Sequence, residues 1–404
     1  MEQTNTTPSK TIPRWNLNTI YPDLHSPEYT EALADYTKKM DEVDALFASA
    51  ESIKKAGATN FDFPLWLSTY LRISNKLGAL ETSLFAYSYV IYSTDTTNKE
   101  YLDNISKLDE MRLRSQQQTL TFRRFLKQNV ASLKDFYTRF PEYNQYSFVI
   151  QEEVDQTNHQ MTSVEENLAD DLQRTGGDAW ERLHEQIISN TKDPETGKTF
   201  NELRNDAYSG DPQVRISSWK KEIKLLEQNR IALAASLNNI KGATVTLNKR
   251  RHWNEAIDRA LASSRMQRKT LEALITSIEK SLPRWRDYFQ AKALLLRKEG
   301  TTADSESDKE NPGISFYDLF APLTGKETKE NSPTNRIWTF AETRDYIIEK
   351  FSSFSPKMGA FAKKAFDSGW IDAEVRPGKV GGAYCEDFPA QGESRVLSNF
   401  TGAF

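Results

Sequence analysis

A run of regularly spaced apolar residues between positions 66 and 91 is the clearest pattern in the chain. The spacing alternates between four and three residues, which places these side chains on one face of an α-helix. The members are Trp66, Tyr70, Ile73, Leu77, Leu80, Leu84, Tyr87 and Ile91. The pattern predicts a long amphipathic helix, and we expect it to pack against a second helix over residues 99–127.

Start signals predict further helices along the chain. Ser26 precedes Pro27, the usual order of an N-cap and a first helical residue. Thr339 followed by Glu342 predicts a capping box, and Ser355-Pro356 predicts the start of another helix. Before these helices, residues 13–22 contain four aromatic or proline residues, Pro13, Trp15, Tyr21 and Pro22, and are expected to lie extended against the body of the protein.

The second half of the chain also has helical spacing. Apolar positions from Trp219 to Ile240 predict one long helix, and those from Leu271 to Leu282 predict another. Pro283 is expected to end or kink that helix, so that a third helix runs from Trp285 to Leu296. Residues 300–312, which are acidic and rich in Ser and Thr, are expected to form a surface loop.

Two short stretches predict β structure within a mainly α fold. Lys192–Phe200 has the composition of a turn that joins two short strands, and Arg395–Phe400 has that of a strand. The small β elements are therefore expected near 193–203 and 380–400.

The changes in pattern also predict three domains. Residues 1–140 would form an amino-terminal region of long antiparallel helices. Residues 141–192 would form a small helical lobe, and residues 193–404 the first part of a larger domain.

Composition argues against nucleic acid and membrane as partners. The 404 residues include 53 Lys+Arg and 57 Asp+Glu, giving a formal net charge of −4, so no broad basic surface is expected. The basic cluster Lys249–Trp253 is expected to be a solvated helix end or a local ion-pair network. Salt-dependent nucleic-acid binding through that cluster remains the third and least favoured function.

Cys385 is the single cysteine, which excludes an internal disulfide and favours a reducing compartment. We interpret it as a small buried thiol rather than a nucleophile. The segment Met1–Lys10 has no apolar core of signal-peptide length, and the longest apolar stretch, Leu84–Tyr92, is too short to span a membrane. We therefore expect a soluble, cytoplasmic protein.

The histidines do not form a local metal site. His25, His159, His184 and His252 are the four histidines, and none lies three or four residues from another. His184-Glu185 begins like an H-E-x-x-H zinc motif, but Ile188 occupies the position of the second ligand. We interpret His184 as a surface helix residue and expect no metal ligands or catalytic residues in this chain.

Several segments, in the same order as in the family, resemble oligoendopeptidase F, a group of thimet-oligopeptidase-like zinc endopeptidases. These segments are Arg14–Pro22, Thr175–Trp180, Ile240–Gly242, Lys249–Arg251, Phe316–Leu323, Gly369–Asp372 and Gly378–Cys385. The resemblance implies a mostly α-helical peptidase fold with a deep channel that admits short, unfolded oligopeptides. It also implies a zinc cofactor in full-length family members.

The resemblance suggests where a peptide would bind. It implies that Arg395–Phe400 forms a strand beside the cleft, where an edge strand pairs with substrate through main-chain hydrogen bonds. Asn399 and Phe400 are the candidates for that role, although an ordinary structural strand carries about equal weight. Gly382 and Tyr384 are expected in a loop near the cleft, where glycine permits close backbone approach.

The chain departs from the family at the metal site. The H-E-x-x-H helix and the third ligand, a Glu, would follow shortly after Thr401-Gly402, so the resemblance covers only the amino-terminal two thirds of such an enzyme. We therefore expect this chain to bind no zinc and to be inactive alone. The alternative is a non-catalytic helical protein that binds peptides or acts as a scaffold. The sequence leaves its oligomeric state open.

Overall fold

A computed structural model describes residues 12–55, 61–302, 313–323 and 337–402. The first helices are α1 (Pro27–Lys55), α2 (Phe63–Thr94), α3 (Lys99–Gln128), α4 (Leu133–Arg139), α5 (Ser147–Gln156), α6 (Ser163–Thr175) and α7 (Gly177–Asn190). They are followed by α8 (Phe200–Asn205), α9 (Pro212–Gln228), α10 (Arg230–Arg250), α11 (Ala256–Ser263), α12 (Arg268–Lys298), α13 (Phe340–Phe354) and α14 (Pro356–Asp367). A small sheet contains β1 (Ile371–Asp372), β2 (Tyr384–Phe388) and β3 (Glu393–Leu397). The predicted mainly α fold is confirmed.

The main hydrophobic core lies between α1, α2 and α3. The predicted seam of α2 is buried in it, except for Leu80, which is half-buried. Tyr70 stacks on Phe122 of α3 with ring centroids 4.1 Å apart, and Trp66 stacks on Phe125 at 4.9 Å. Because offset aromatic pairs add to the free energy of area burial, this cluster fixes α3 against α2 as the spacing predicted.

The predicted helix starts are confirmed at their caps. The Ser26 hydroxyl accepts a hydrogen bond from the Tyr29 amide at 3.3 Å, at the start of α1. Thr339 and Glu342 form the capping box of α13, and α14 begins at Pro356. These caps satisfy amides that the first turn of a helix leaves without partners.

Two helix predictions in the second half are wrong. The single helix predicted through 219–240 is two helices, α9 and α10, which are separated at Asn229. Conversely, the two helices predicted on either side of Pro283 are one continuous helix, α12. Pro283 is exposed, so water can bond the carbonyl that loses its amide partner, and the helix tolerates the proline.

The turn at 192–200 is present without the two strands predicted around it. Lys192 and Thr199 form an isolated antiparallel bridge. Thr199 then caps α8 in a capping box with Glu202, so residues 200–205 are helical. The capping signal therefore overrides the strand pattern from Phe200 onwards.

The sheet has the strand order β1-β3-β2, with β3 parallel to β1 and antiparallel to β2. The predicted strand over 395–400 is present as Glu393–Leu397, but it is the central strand and not an edge. β1 and β2 bond to the main-chain amides and carbonyls of β3 from its two sides. Substrate therefore cannot pair with β3 itself as the resemblance suggested.

Residues 13–16 lie extended beside β1, but the rest of the segment expected to be extended, up to 22, contains a turn at 18–20. The Ala373 amide donates to the Pro13 carbonyl at 2.9 Å, and the Asn16 amide donates to the Gly369 carbonyl at 2.6 Å. These bonds cover the outer side of β1. The outer side of β2 is therefore the side of the sheet that remains open in the described part.

Some expectations concern parts that the structure leaves open. Met1–Lys10 and most of the predicted loop at 300–312 lie outside the described residues. The predicted domain boundaries after 140 and 192 stay predictions. Among the described helices, none is long and apolar enough to cross a membrane.

Candidate functional site

The outer edge of β2 presents unused main-chain groups. The amides of Val396 and Ser398 donate to the carbonyls of Trp370 and Asp372 on the β1 side, at 2.9 and 2.8 Å. Because main-chain groups alternate in direction along a strand, the odd-numbered residues of β3 bond to β2.

The register of the sheet then decides which groups of β2 are free. Tyr384 lies opposite Leu397 and Glu386 opposite Arg395, so these residues of β2 use their main-chain groups within the sheet. The amides and carbonyls of Cys385 and Asp387 point away from β3, and no partner for them is present among the described residues. Such an edge can accept one further extended strand.

Tyr384 stands at the beginning of β2 and contacts α2. Its hydroxyl lies 2.6 Å from the Ser93 hydroxyl, and its ring lies 5.4 Å from Tyr89 and 6.5 Å from Trp15. Burial is the main cause that raises the pKa of Tyr384 well above its usual range. Tyr384 therefore stays a neutral hydroxyl that anchors β2 to α2.

Asn399 and Gly382 are brought together just beyond the strand pair. The Asn399 side-chain amide donates to the carbonyls of Val380 at 3.1 Å and Gly382 at 3.0 Å. Gly382 has φ +73° and open space where a Cβ would stand. Asn399 thus uses both amide hydrogens to hold the loop before β2, which is a positioning contact.

Phe400 points to another part of the molecule. Its amide donates to the Ala373 carbonyl at 2.9 Å, and its ring meets Phe340 of α13 edge-on at 5.5 Å. The four residues expected to bind substrate are therefore three neighbours, Gly382, Tyr384 and Asn399, and one residue turned towards α13. Their contact with substrate stays a prediction.

A buried ion pair supports this end of the sheet. The Lys379 ammonium lies 2.6 Å from an Asp372 carboxylate oxygen, and both side chains are about 1% exposed or less. It also donates to the carbonyls of Asp372, Glu374 and Ser398, at 3.1, 2.8 and 2.7 Å. Burial lowers the pKa of Lys379. These contacts join the segments on either side of β2 and fix its position.

A second feature is a polar groove along one face of α3. Three adjoining cavities of about 260, 570 and 320 Å³ lie there. The first two share Arg112, the last two share Gln116, and the first and last share Glu181, so all three adjoin beside α3. The facing side is formed by α6, α7 and α10. We call this feature the α3 groove.

The cavity of about 260 Å³ in this groove is acidic. It lies between α2, α3 and α7 and is bordered by Tyr89, which also touches Tyr384 at the start of β2. Its carboxylates are Asp109, Asp178, Glu181 and Glu185, and its cations are Arg112 and Arg182. Burial is the main cause that raises the pKa of Glu185. We call this cavity the acidic pocket.

Two predictions about reactive or charged groups have different outcomes. Cys385 is exposed on β2, so its interpretation as a buried thiol is wrong, because its side chain lies on the outer face of the sheet. Burial of the sulfur and the charge of Asp387 nevertheless raise its pKa.

The ion-pair interpretation of the basic cluster is confirmed, since Arg251 pairs with Glu166 at 2.6 Å and Arg250 with Glu165 at 3.4 Å.

The residues present do not fit a zinc site. In the described ranges, no group of three or more His, Cys, Asp or Glu side chains could hold a metal ion. His25 lies 2.7 Å from Glu100 at the surface, and His159 stacks on Trp253 with ring centroids 3.5 Å apart. The zinc implied by the resemblance therefore has no ligand set here, and no chemical step can be derived through it.

Sequence reasoning missed both the open edge of β2 and the acidic pocket. The edge depends on the position of β3 between β1 and β2, and β3 pairs with β1 across more than twenty positions of the chain. The pocket combines three helices. The sequence did contain one indication of the acidic pocket. Glu181 and Glu185 lie four residues apart on a helix, where like charges repel each other.

Comparisons with known proteins agree with this architecture. The model of the peptidase family M3 matches residues 205–403, and that of oligopeptidase F matches residues 125–192. The chain is 22% identical over 312 residues to the group B oligopeptidase PepB of Streptococcus agalactiae serotype III (strain NEM316). That alignment covers 74% of this chain and 48% of the relative. The chain thus spans about half the length of this curated relative.

Solved structures share the fold at low sequence identity. The oligoendopeptidase-F of Enterococcus faecium matches with a TM-score of 0.58 and 17% identity, over 83% of this chain and 66% of that one. PZ peptidase A, solved with an inhibitor, matches with a TM-score of 0.61 and 15% identity, over 90% of this chain and 59% of the other. At these identities the likeness shows the peptidase fold alone.

Proposed function

Because the chain belongs to the peptidase family M3, we propose that it forms the peptide-binding body of an oligoendopeptidase F-like zinc endopeptidase. Short, unfolded oligopeptides are the ligands. The observation that carries the proposal is the open edge of β2, where Cys385 and Asp387 offer two amides and two carbonyls. Main-chain pairing there binds extended peptides with little regard to their side chains.

The surroundings of β2 support a peptide ligand. Tyr384 and the Lys379 pair hold the strand firmly, so the edge is preorganised and loses little entropy on binding. The α3 groove begins beside the same strand, through Tyr89. An extended peptide exposes the main-chain groups that pairing with β2 requires.

We propose that this chain alone binds peptides without cleaving them. The sequence has no H-E-x-x-H motif, and the described side chains offer no metal ligand set. In family members that hold zinc, the metal supplies an activated water. The single cysteine supports the cytoplasm as the location of the protein.

A proline substitution tests the proposal at the β2 edge. Asp387→Pro removes an outward amide that no strand of the sheet uses, and proline is tolerated at such an edge position. Asp387→Ala is the matched control, because it also loses the carboxylate but keeps the amide. We expect Asp387→Pro to weaken binding of a labelled extended heptapeptide about fivefold, the loss of one hydrogen bond worth about 1 kcal/mol. Fluorescence anisotropy measures it.

Equal affinities for the two variants would contradict the β2 edge as the binding strand. Cleavage is measured separately with a quenched fluorescent peptide, with and without added zinc and a chelator. We expect no chelator-sensitive hydrolysis by the purified 404-residue chain. Such hydrolysis would instead show that the chain holds a complete catalytic site.

A non-catalytic peptide-binding or scaffold protein is the second candidate. The absence of the zinc motif from the printed sequence favours it. The mass of the native protein in its source cells separates the two candidates. A product heavier than the 404-residue chain supports the peptidase, and a product of the same mass supports the non-catalytic binder.

A further inference from the structure

The acidic pocket carries more negative than positive charge. Arg182 and Arg112 lie 3.2 and 4.0 Å from the Asp109 carboxylate, so both cations pair with the same carboxylate. Asp178 accepts a hydrogen bond from the Gln173 side chain at 2.7 Å. Glu181 and Glu185 have no cationic partner among the ion pairs of the described residues.

These two glutamates are placed to attract a cation. They lie four residues apart on α7, where like charges repel each other, and Glu185 is half-buried while Glu181 stands at the surface. The charge of Glu181 adds to burial in raising the pKa of Glu185. A bound cation would relieve this repulsion, and partial exclusion of water would strengthen the attraction.

An unsatisfied hydroxyl in the same cavity points independently to a ligand. Tyr92 is 1% exposed, and its hydroxyl has no hydrogen-bond partner in the described part of the chain. Tyr92 lines the pocket beside Glu185, and its pKa is raised first by burial and then by the charge of that carboxylate. Buried hydroxyls are normally hydrogen-bonded, so a ligand that reaches this oxygen would satisfy it.

The walls of the pocket suit an organic cation. The rings of Tyr89 and Tyr92 border the cavity, and aromatic faces attract ammonium and guanidinium groups. The face of Phe85 already carries the Arg112 guanidinium, 4.1 Å from the ring centroid. A metal ion is disfavoured, because the described acidic residues do not converge as a group of three ligands. The volume of about 260 Å³ leaves room for the end of a long side chain.

We propose that the acidic pocket binds a positively charged group of a peptide, either its terminal ammonium or the side chain of Lys or Arg. The inference rests on the proposed function, because the ligand is a peptide held at β2. Tyr89 borders the pocket and touches Tyr384 at the beginning of β2. The pocket would therefore make the affinity for a peptide at the β2 edge depend on the charge of the peptide, although main-chain pairing there is largely independent of side chains.

Three labelled heptapeptides test this inference on the full 404-residue chain. The first contains one central Arg, the second replaces that Arg with citrulline, and the third has the Arg and an acetylated amino terminus. Citrulline keeps the shape of Arg and removes its charge. A charged hydrogen bond contributes about 1.5 kcal/mol, so we expect removal of the recognised charge to weaken binding about tenfold in fluorescence anisotropy.

Variants assign the effect to the pocket. Glu181→Gln/Glu185→Gln should abolish the charge preference, and Tyr92→Phe should weaken binding of the charged peptide while keeping the ring. Glu272→Gln, an exposed change on α12, is the matched control and should alter no affinity. Circular dichroism and the melting temperature establish that each variant is folded.

The outcomes separate this inference from the proposed function. An effect of citrulline identifies the side-chain cation, and an effect of acetylation identifies the terminal ammonium; either supports the pocket if the double variant removes it. If all three peptides bind equally, the pocket inference is overturned while peptide binding stands. If no peptide binds, both are overturned.

Discussion

Lys379 shows how one buried residue holds the candidate site together. Its ammonium pairs with Asp372 and donates hydrogen bonds to three carbonyls, while the side chain is fully buried. Lys379→Met keeps much of the volume and leaves these carbonyls without a donor. Asp372 keeps a second partner, Arg376, at 2.8 and 2.9 Å, so the cost comes from the carbonyls that lose their donor. An unsatisfied buried acceptor costs about 1–3 kcal/mol, and we expect a loss of at least this size in the free energy of unfolding measured with urea.

An exposed pair provides the comparison for Lys379. Lys363 pairs with Asp367 one turn along α14, and both side chains are more than half exposed. Lys363→Met should therefore change the free energy of unfolding by less than about 1 kcal/mol. A similar, small change in both variants would contradict the structural role of Lys379.

Glu185 links the acidic pocket to pH-dependent stability. Burial raises its pKa in the folded state, so folding favours the protonated form. Its contribution to stability is therefore present below the unfolded pKa of about 4.3 and is lost as the pH rises through the folded value. We expect Glu185→Gln to raise the melting temperature at pH 8 and to have little effect at pH 4.

The comparison at each pH isolates Glu185 from its neighbours. The charged or titratable groups around it are Tyr89 and Tyr92 on α2, Asp109 and Arg112 on α3, and Asp178, Glu181, Arg182 and His184 on α7. They are the same in the wild type and the variant. Glu272→Gln should show no such pH-dependent difference, and a constant difference for Glu185→Gln would contradict the assigned cause.

At the scale of elements, Pro283 gives the sharpest test of a corrected prediction. The proline lies inside α12 and leaves one carbonyl without an amide donor. We expect Pro283→Ala to slow hydrogen exchange of the α12 amides, because it restores the missing bond and improves helix propensity. Pro356 stands at the first position of α14, where proline costs little, so Pro356→Ala should not slow exchange in α14. Equal slowing of exchange in α12 and α14 would contradict the assignment of the effect to the hydrogen bond that Pro283 removes.

The elements also show what the sequence could predict. The α2 seam, the caps at Ser26 and Thr339, and the mainly α fold follow from local spacing and chemistry, and they are confirmed. The break at Asn229 was missed because Trp219–Ile240 has apolar positions that continue across it. The face of α9 that is buried contains Arg215 and Glu222, which an apolar pattern cannot reveal.

The candidate site was less predictable than the fold. The structure brings the Asn399 side chain to the Gly382 carbonyl and Tyr384 to Ser93, but the predicted contact of these residues with substrate stays a prediction. Whether β3 is an edge or a central strand depends on its pairing with Ile371–Asp372, a long-range contact that strand composition does not encode. The open strand was therefore assigned to β3 instead of β2.

At the scale of the whole molecule, several helices expose apolar faces. On α12, the large apolar side chains at the surface are Leu274, Ile275, Ile278, Leu282, Trp285, Tyr288 and Leu294. On α13 and α14, they are Tyr346, Phe351, Phe354, Met358 and Phe361. Contiguous exposed apolar surface of this kind promotes association with other apolar molecules.

The face of α12 leads to a prediction about the isolated chain. Leu274 and Ile278 are 51% and 47% exposed, so Leu274→Gln/Ile278→Gln removes apolar surface without opening the core. We expect the double variant to bind less of the dye ANS and to self-associate less in sedimentation velocity. The free energy of unfolding should stay within about 1 kcal/mol of the wild type, since exposed substitutions cost little.

Two neighbouring glutamates on the same helix supply the control. Glu272→Gln/Glu279→Gln introduces the same amide side chains but leaves the apolar area unchanged, so dye binding and self-association should stay close to the wild type. If Leu274→Gln/Ile278→Gln instead lowers the free energy of unfolding strongly, these side chains are packed in solution. The face of α12 that is exposed in the structure then contacts another part of the protein. If dye binding is unchanged, the apolar surface that binds the dye lies elsewhere, with α13 and α14 as the next faces to test.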